Sequence, residues 1–529
     1  MDALRDTLDL LPLLVIIAGA MTVLLADTFA TYGDDEEALP DGGRGWLAWL
    51  SFGVVVIAGG TVHWAWEGAA TPKSLFGGMA VMDRFALFND GVLLLGTGLS
   101  VLLSPRYLHV HRLARGEWYA LMLLATAGMM VMAHSTDLLL LFLGLETMSV
   151  AVYALAAYMR GDARSAEAGL KYFLLGAFAS TILLYGIALT WGATGSTSLQ
   201  DIASAFATTP GLLDDPIVFA GMLLVLAGMA FKVAMVPFHM WTPDVYEGAP
   251  TPATCFMASA VKAAGFAVLI RVLVQAFFDR ELALSPGPGA APVGWFQIMV
   301  FLALATMIVG NVVAVLQRNV KRMLAYSSVA HAGYAAIAIA AMVPLSSGAP
   351  AAPGAAGAVL WYLLAYGIAT VGAFGCVALI QRDGVDLTDV RDLHGLAVRH
   401  PALALTFTVC LLSLGGLPPT GGFVAKLQVF REALSAGDAL AASGALASGD
   451  GVLYQLVIVG ALNSVVAVVY YLRPVVAMYM RRPRDHWRIL SSPAITLALG
   501  LCVALTLWLG MFPSDTIELA QAAAAGLTP

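Results

Sequence analysis

The sequence predicts an all-α polytopic membrane protein with about fourteen transmembrane helices. Three observations predict it. Of 529 residues, 60% are hydrophobic and only 12% are charged, whereas a soluble chain carries about 25% charge. Apolar runs of 17 or more residues recur from end to end, each long enough to cross a hydrocarbon core of about 30 Å. The runs are continuous, which excludes the alternating segments of about ten residues that mark a membrane barrel. A segment in lipid must satisfy its own backbone polar groups, so the runs are helices.

In chain order the spans fall at about 9–30, 46–66, 87–103, 117–133, 137–158, 168–191, 217–241, 253–277, 294–316, 321–343, 357–381, 402–434, 452–480 and 493–512. The first run follows Asp2, Asp6 and Asp9 rather than a basic leader, so it reads as a span and not as a cleavable signal. Connections are short. The longest polar ones carry turn residues, at Gly33-Asp34-Asp35-Glu36-Glu37 and Ser285-Pro286-Gly287-Pro288-Gly289. Residues 197–210 read as a short amphipathic or irregular surface segment. Cys255, Cys376, Cys410 and Cys502 all lie in apolar runs without metal-ligand spacing and read as small core residues.

Basic residues set the orientation. Arg106, Arg112 and Arg115; Arg160 and Arg164; Arg318, Lys321 and Arg322; Arg382, Arg391 and Arg399; and Arg481, Arg482, Arg484 and Arg488 all follow odd-numbered spans. The other side holds scattered bases such as Lys73 and Arg280, while the acidic loop after the first span, with Arg44 as its one base, adds little to the rich side. The positive-inside rule places the rich side in the cytoplasm and both termini on the outer side. Spans four to eight and nine to thirteen form two sets of five. In each set the fourth span carries a lysine beside a proline break: Lys232 with Pro237, and Lys426 with Pro418-Pro419. An odd number of spans forces consecutive units into opposite orientations, the arrangement of inverted-repeat transporters with broken helices at a midplane site. The implied division is a three-helix segment at 1–115, repeats at 116–280 and 290–481, and a C-terminal helix at 482–529.

The chemistry is carried by lysine. The chain has 6 lysines against 21 arginines. Lys73 and Lys321 fall in loops or at a span's edge, while Lys171, Lys232, Lys262 and Lys426 fall in or at the start of apolar spans. Arginine stays protonated under biological conditions, but a desolvated lysine can release its proton. A lysine at the bilayer centre costs about 2.5–3.5 kcal/mol, so such residues persist where they face a hydrated interior and do work. Lys232 reads as mid-span, with Pro237 freeing the carbonyl of Val233. Lys262 sits among small residues, and Lys426 follows the unwound stretch Pro418-Pro419-Thr420-Gly421-Gly422. Glu146 is the one carboxylate placed well inside a span, and it calls for a cation partner, with a nearby lysine the natural one. His331, about ten residues into its span, suits proton relay, and a satisfied core histidine is the alternative. Lys171 is either functional or a snorkelling residue. His134 and His239 read as near the surfaces, and Asp244 and Glu247 as structural residues of a turn. No phosphate loop, CxxC pair, haem motif or nucleophile constellation appears, so the chain carries no cofactor chemistry of its own, and no basic stripe suggests nucleic acid.

Four segments carry a resemblance. They are Trp241-Thr242-Pro243-Asp244-Val245-Tyr246-Glu247-Gly248-Ala249-Pro250-Thr251-Pro252; Lys262-Ala263-Ala264-Gly265-Phe266; Lys321-Arg322-Met323-Leu324-Ala325-Tyr326-Ser327-Ser328 with His331-Ala332-Gly333-Tyr334; and Gly416-Leu417-Pro418-Pro419-Thr420-Gly421-Gly422-Phe423 with Lys426. In order and spacing they resemble the subunit N family (subunit 2 in mitochondria) of bacterial NADH:quinone oxidoreductase, over about residues 75–510. The resemblance implies an antiporter-like fold in the membrane arm of respiratory complex I. Its partners would be the neighbouring antiporter-like subunits, small membrane subunits and membrane lipid. NADH, FMN, iron–sulfur clusters and quinone would reside on other subunits. The family's buried glutamate falls on Glu146, its central lysines on Lys232 and Lys262, and its distal lysine on Lys426. Lysine rather than glutamate at 426 separates the sequence from sister subunit M. The end of the sequence soon after the fourteenth span separates it from sister subunit L, which adds a lateral helix.

The expected function is proton translocation across the inner membrane. A proton would reach Lys232 from the cytoplasm, with its release governed by Glu146, and pass by Lys262 and His331 to Lys426 and the outer surface. Quinone reduction elsewhere would drive it. Two rivals are a subunit of a multisubunit monovalent cation/proton antiporter, for which the route has few carboxylates, and a proton-tight structural spacer.

Overall fold

The computed structural model describes residues 2–31, 45–284, 293–346, 349–350, 352–382, 385–443, 451–483 and 488–527. The turn segments Gly33–Glu37 and Ser285–Gly289, together with Arg44 and Arg484, lie outside the described residues.

The chain runs through helices α1 (Asp2–Asp9), α2 (Leu11–Thr31), α3 (Trp46–Trp66), α4 (Arg84–Val110), α5 (Gly116–His134), α6 (Leu138–Ala156), α7 (Ala163–Thr194), α8 (Leu199–Thr208), α9 (Pro216–Lys232), α10 (Trp241–Gly248), α11 (Thr251–Phe256) and α12 (Lys262–Gln275). Then follow α13 (Arg280–Leu284), α14 (Trp295–Leu316), α15 (Val320–Ala340), α16 (Ala355–Ala378), α17 (Leu396–Arg399), α18 (Pro401–Gly415), α19 (Gly421–Ser443), α20 (Val452–Met480), α21 (Pro493–Met511) and α22 (Ser514–Ala524). Twelve of the described helical segments are long and apolar enough to cross a membrane. The remaining two expected spans are the interrupted ones, α9 and α18–α19. The 197–210 segment is the short amphipathic helix α8.

Helix starts follow capping chemistry. Asp137, Asp162, Ser198, Asp215, Asn319 and Ser492 each accept a hydrogen bond from a first-turn backbone amide. Pro216, Pro401 and Pro493 occupy first helical positions, where no backbone donor is lost. Small strands tie the loops: β1 (Lys73–Leu75) with β2 (Ala80–Met82), β3 (Pro344–Ser346) with β4 (Ala349–Pro350), and β5 (Ile380–Arg382) with both β6 (Val385–Asp386) and β7 (Arg488–Ile489).

The 251–275 segment is buried along its whole length, and α15 and α16 nearly so, whereas α2 and α20 lie at the periphery. A central column hidden from lipid therefore carries Lys262 and His331. The arginine-bearing loops gather at one end, where Tyr107 bonds Asp386 and Asn319 bonds Glu247 and Thr388. All four cysteines are buried and free.

A row of buried lysines between broken helices

The seventh expected span does not run to residue 241. Helix α9 ends at Lys232 itself, and residues 233–240 are unwound before α10. Lys232 therefore stands at a helix C-terminus rather than in mid-helix. Pro237 contributes no amide, as expected, but the break opens earlier, where Ala234 takes a left-handed φ of 61°. The unwound backbone finds partners: Met235 N–H donates to Ala230 O at 2.9 Å, and Val236 N–H donates to the Thr306 hydroxyl of α14 at 2.9 Å. The Trp241 indole donates to Phe231 O at 3.0 Å.

Lys232 is 4% exposed. Its ammonium donates to Ser149 Oγ at 2.6 Å and lies 5.4 and 5.6 Å from the rings of Tyr153 and Tyr172. A helix C-terminus and two aromatic faces both favour a cation there. Glu146 lies on α6 one turn before Ser149, half-buried, and accepts from Ser180 Oγ at 2.5 Å. It makes no ion pair with Lys232 within 4.0 Å, so the expected direct partner is replaced by serine.

Lys262 opens α12 directly after a single π-helical turn at Met257–Val261. It is 3% exposed and donates to Ser328 O and Ser328 Oγ, both at 2.5 Å. Three residues on, Gly265 packs against the end of α9. A Cβ there would meet Val233 at 2.8 Å and would lie 3.8 Å from Lys232 Cβ. Glycine thus lets the helices bearing Lys232 and Lys262 touch.

Lys426 is 5% exposed and reaches back from α19 to donate to the carbonyl of Gly415, the last residue of α18, at 3.2 Å. Gly416 ends that helix with φ 77°. Its glycine is required twice, by that left-handed backbone and by Lys426 Cδ, which a Cβ would meet at 2.9 Å.

His331 is buried between the last two lysines. Its Nδ1 contacts Tyr362 Oη at 2.6 Å and its Nε2 contacts Tyr471 Oη at 3.1 Å. Tyr471 is also bonded to Ser327, the neighbour of Ser328. The ring packs 4.7 Å from Tyr366 and 5.8 Å from Tyr334. Lys262 sits over Tyr366 at 5.7 Å, and Lys426 over Tyr334 at 4.7 Å. Lys232, Lys262, His331 and Lys426 thus form one buried row.

Lys171 stands apart from that row. Its side chain is 40% exposed and pairs with Glu167 at 2.6 Å and Asp244 at 2.8 Å. Arg322 joins Asp244 and Glu247 at 2.7 and 2.8 Å, so both acids staple the α10 turn. Lys321 stands at the edge of its span, in the first turn of α15, and is buried there. It is 3% exposed and donates to Ala249 O at 2.8 Å. With Asp386, His111 and Tyr107 it lines a cavity of about 140 Å³ among the arginine-bearing loops. Burial pushes the Asp386 carboxyl up, but the hydrogen bond from His111 and the charge of Lys321 outweigh it and hold the group below the ordinary range.

Sequence reasoning missed the serine acceptors and the tyrosine cage. The signal was present: Ser149 follows Glu146 at helical spacing, and Tyr362 and Tyr366 lie four apart. Glu146 is not the one carboxylate inside the spans. Asp90 of α4 and Glu432 of α19 are buried too, and His134 is a buried residue rather than a surface one.

The family model described as "NADH:quinone oxidoreductase/Mrp antiporter, TM" matches residues 135–448. NADH-quinone oxidoreductase subunit N 1 of Sorangium cellulosum is 44% identical over 519 residues, covering 96% of each chain. Subunit N of Myxococcus xanthus is 41% identical over 97% of this chain and 96% of its own. Among solved structures, a chain of respiratory complex I from Thermus thermophilus with bound aureothin matches with a TM-score of 0.72 and 32% identity, covering 96% of this chain and 99% of that one. A chain of the Mrp complex from Dietzia matches with a TM-score of 0.76 at 22% identity over 99% and 97%, a likeness of fold alone. The chain belongs to the subunit N family of NADH-quinone oxidoreductases, the antiporter-like membrane subunits.

Proposed function

We propose that this chain translocates protons in the membrane arm of NADH:quinone oxidoreductase along the row Lys232–Lys262–His331–Lys426. The observation that carries the reading is shared by all three lysines. Each is at most 5% exposed, and none has a carboxylate within 4.0 Å among the described residues. Each ammonium is held instead by a neutral hydroxyl or carbonyl. An ion pair would fix a lysine in its charged form, because losing the proton would strand a buried carboxylate. Neutral oxygens impose no such penalty, so the proton can leave. Protons enter from the arginine-rich end, which faces the cytoplasm, leaving both termini on the outer side. Glu146, one turn from Ser149, biases the charge of Lys232 without bonding it. Quinone reduction in other subunits, which also hold FMN and the iron–sulfur clusters, supplies the energy. A change at Glu146 drives transfer only if it binds the two states of Lys232 with different strength.

The test is proton counting in the assembled complex reconstituted into liposomes. Lys232→Ala is expected to lower the protons moved per NADH while uncoupled NADH oxidation persists, with the same count whether or not sodium is present. An undiminished count in an assembled Lys232→Ala complex would reduce this chain to a spacer.

A further inference from the structure

A second buried titratable group lies away from the lysine row. It sits at the end of the bundle opposite the arginine-bearing loops, where α4 begins and α5 and α12 end. His134, the last residue of α5, is 4% exposed, and Asp90 of α4 is 0% exposed. His134 Nε2 lies 2.9 Å from Asp90 Oδ2, and Nδ1 lies 2.9 Å from Val81 O. The proton count follows from these two contacts. A backbone carbonyl can only accept, so Nδ1 carries a hydrogen. The contact between Nε2 and Oδ2 then requires another proton, carried either by the ring or by the carboxyl. The pair as folded therefore holds one exchangeable proton.

The charged groups around the pair are themselves partnered. Arg271 of α12 forms a bidentate pair with Asp83, at 2.9 and 3.0 Å, and both side chains are 1% exposed. Arginine does not titrate. Asp137, the next carboxylate along, is occupied by Leu139 N–H, Leu140 N–H and the Thr197 hydroxyl. Asp90 Oδ1, in contrast, is buried without a hydrogen-bond partner. A cavity of about 690 Å³ lined by Val81, Thr136, Asp137 and Gln275 lies next to the pair, which meets it through Val81 rather than through either side chain. Val81 is the residue whose carbonyl takes the His134 bond, and Gln275 Oε1 is itself buried and unpartnered. Helix α12 links this corner to the row, for Arg271 stands nine residues after Lys262, about 14 Å along the axis.

We infer that the His134–Asp90 pair is a proton-binding station through which the lysine row exchanges protons with the cavity at the end opposite the arginine-bearing loops. The inference rests on the proton-translocation reading. The pair releases the proton shared by His134 Nε2 and Asp90 Oδ2 toward the cavity, and a proton from the interior then refills the same site. No other bond is made or broken.

The test is Asp90→Asn in the whole complex in liposomes, beside Lys232→Ala. Asparagine keeps the size and can donate to Nε2, but it holds no exchangeable proton. The expected result is wild-type NADH oxidation with an uncoupler present, together with the same loss of protons per NADH as Lys232→Ala. A wild-type count in Asp90→Asn beside a lowered count in Lys232→Ala overturns the station and leaves the proton reading standing. Wild-type counts in both overturn both. If Asp90→Asn does not assemble, His134→Gln is scored in the same way. Failure of both to assemble makes the pair a structural brace and overturns the proposal.

Discussion

The two broken helices solve one problem in different ways. At each break a buried ammonium meets the C-terminal end of a half-helix, where the last carbonyls favour a cation. In the first break Lys232 is itself the terminal residue and turns aside to the Ser149 hydroxyl, with Glu146 one turn away. In the second, Lys426 lies on the later half-helix and reaches back to the Gly415 carbonyl, and its titratable neighbour across Tyr334 is His331. The first site thus has an acid that can bias its charge. The second has a base that competes for the same proton. The difference teaches that the two broken helices suit opposite ends of the proposed transfer: a governed donor and a relaxed acceptor.

The largest effect should come from the glycines of the second break. A Cβ on Gly422 would stand 1.8 Å from the Ser413 carbonyl, a backbone atom that cannot swing aside. Gly422→Ala should cost about 3 kcal/mol or more, at the top of the overpacking range, and appear as lost assembly or a lowered unfolding temperature. The first break uses no glycine at its left-handed residue, Ala234. Ala234→Gly should therefore be tolerated, gaining up to about 1 kcal/mol from relief of the left-handed backbone. If it destabilises as much as Gly422→Ala, the two breaks do not differ in this way.

A smaller effect separates the two kinds of acceptor. Ser149→Ala removes the hydroxyl that holds the Lys232 ammonium and should cost about 1–3 kcal/mol, the penalty for a stranded buried donor. Ser328→Ala leaves Lys262 its bond to the Ser328 carbonyl and should cost about 0.5–1.5 kcal/mol. Thermal unfolding of the purified complex would rank them. Equal costs would mean that the hydroxyl at 149 is not the principal partner of Lys232.

The sequence made the spans and the lysines legible for one reason. A long apolar run can only be a helix in lipid, and a charge inside such a run stands out. What it hid were partners from distant helices. Pro237 announced a break, but the helix stops five residues earlier, because Thr306 of α14 is there to take the freed Val236 amide. The π-turn before Lys262 has no residue that announces it. Asp90 stands only three residues into a span that the sequence places from 87, whereas α4 begins at Arg84 and is capped by Asp83. His134 lies 44 residues from Asp90, and Arg271 lies 188 from Asp83. No local pattern pairs residues that far apart.

The smallest expected effect belongs to Lys171, and it sharpens the comparison by exclusion. Lys171 shares with Lys232 its residue type and a place in an apolar run, but its side chain is 40% exposed and has two carboxylates within 3 Å rather than a neutral oxygen. Asp244 remains held by Arg322 at 2.7 Å when Lys171 is gone, so no acid is stranded. Exposed ion pairs contribute about 0–1 kcal/mol. Lys171→Ala should therefore lower stability by no more than that and leave the protons per NADH at the wild-type value. A fall in that ratio equal to the one expected for Lys232→Ala would mean that burial beside neutral oxygens is not what selects a lysine for transfer, and the contrast between the two broken helices would lose its physical basis.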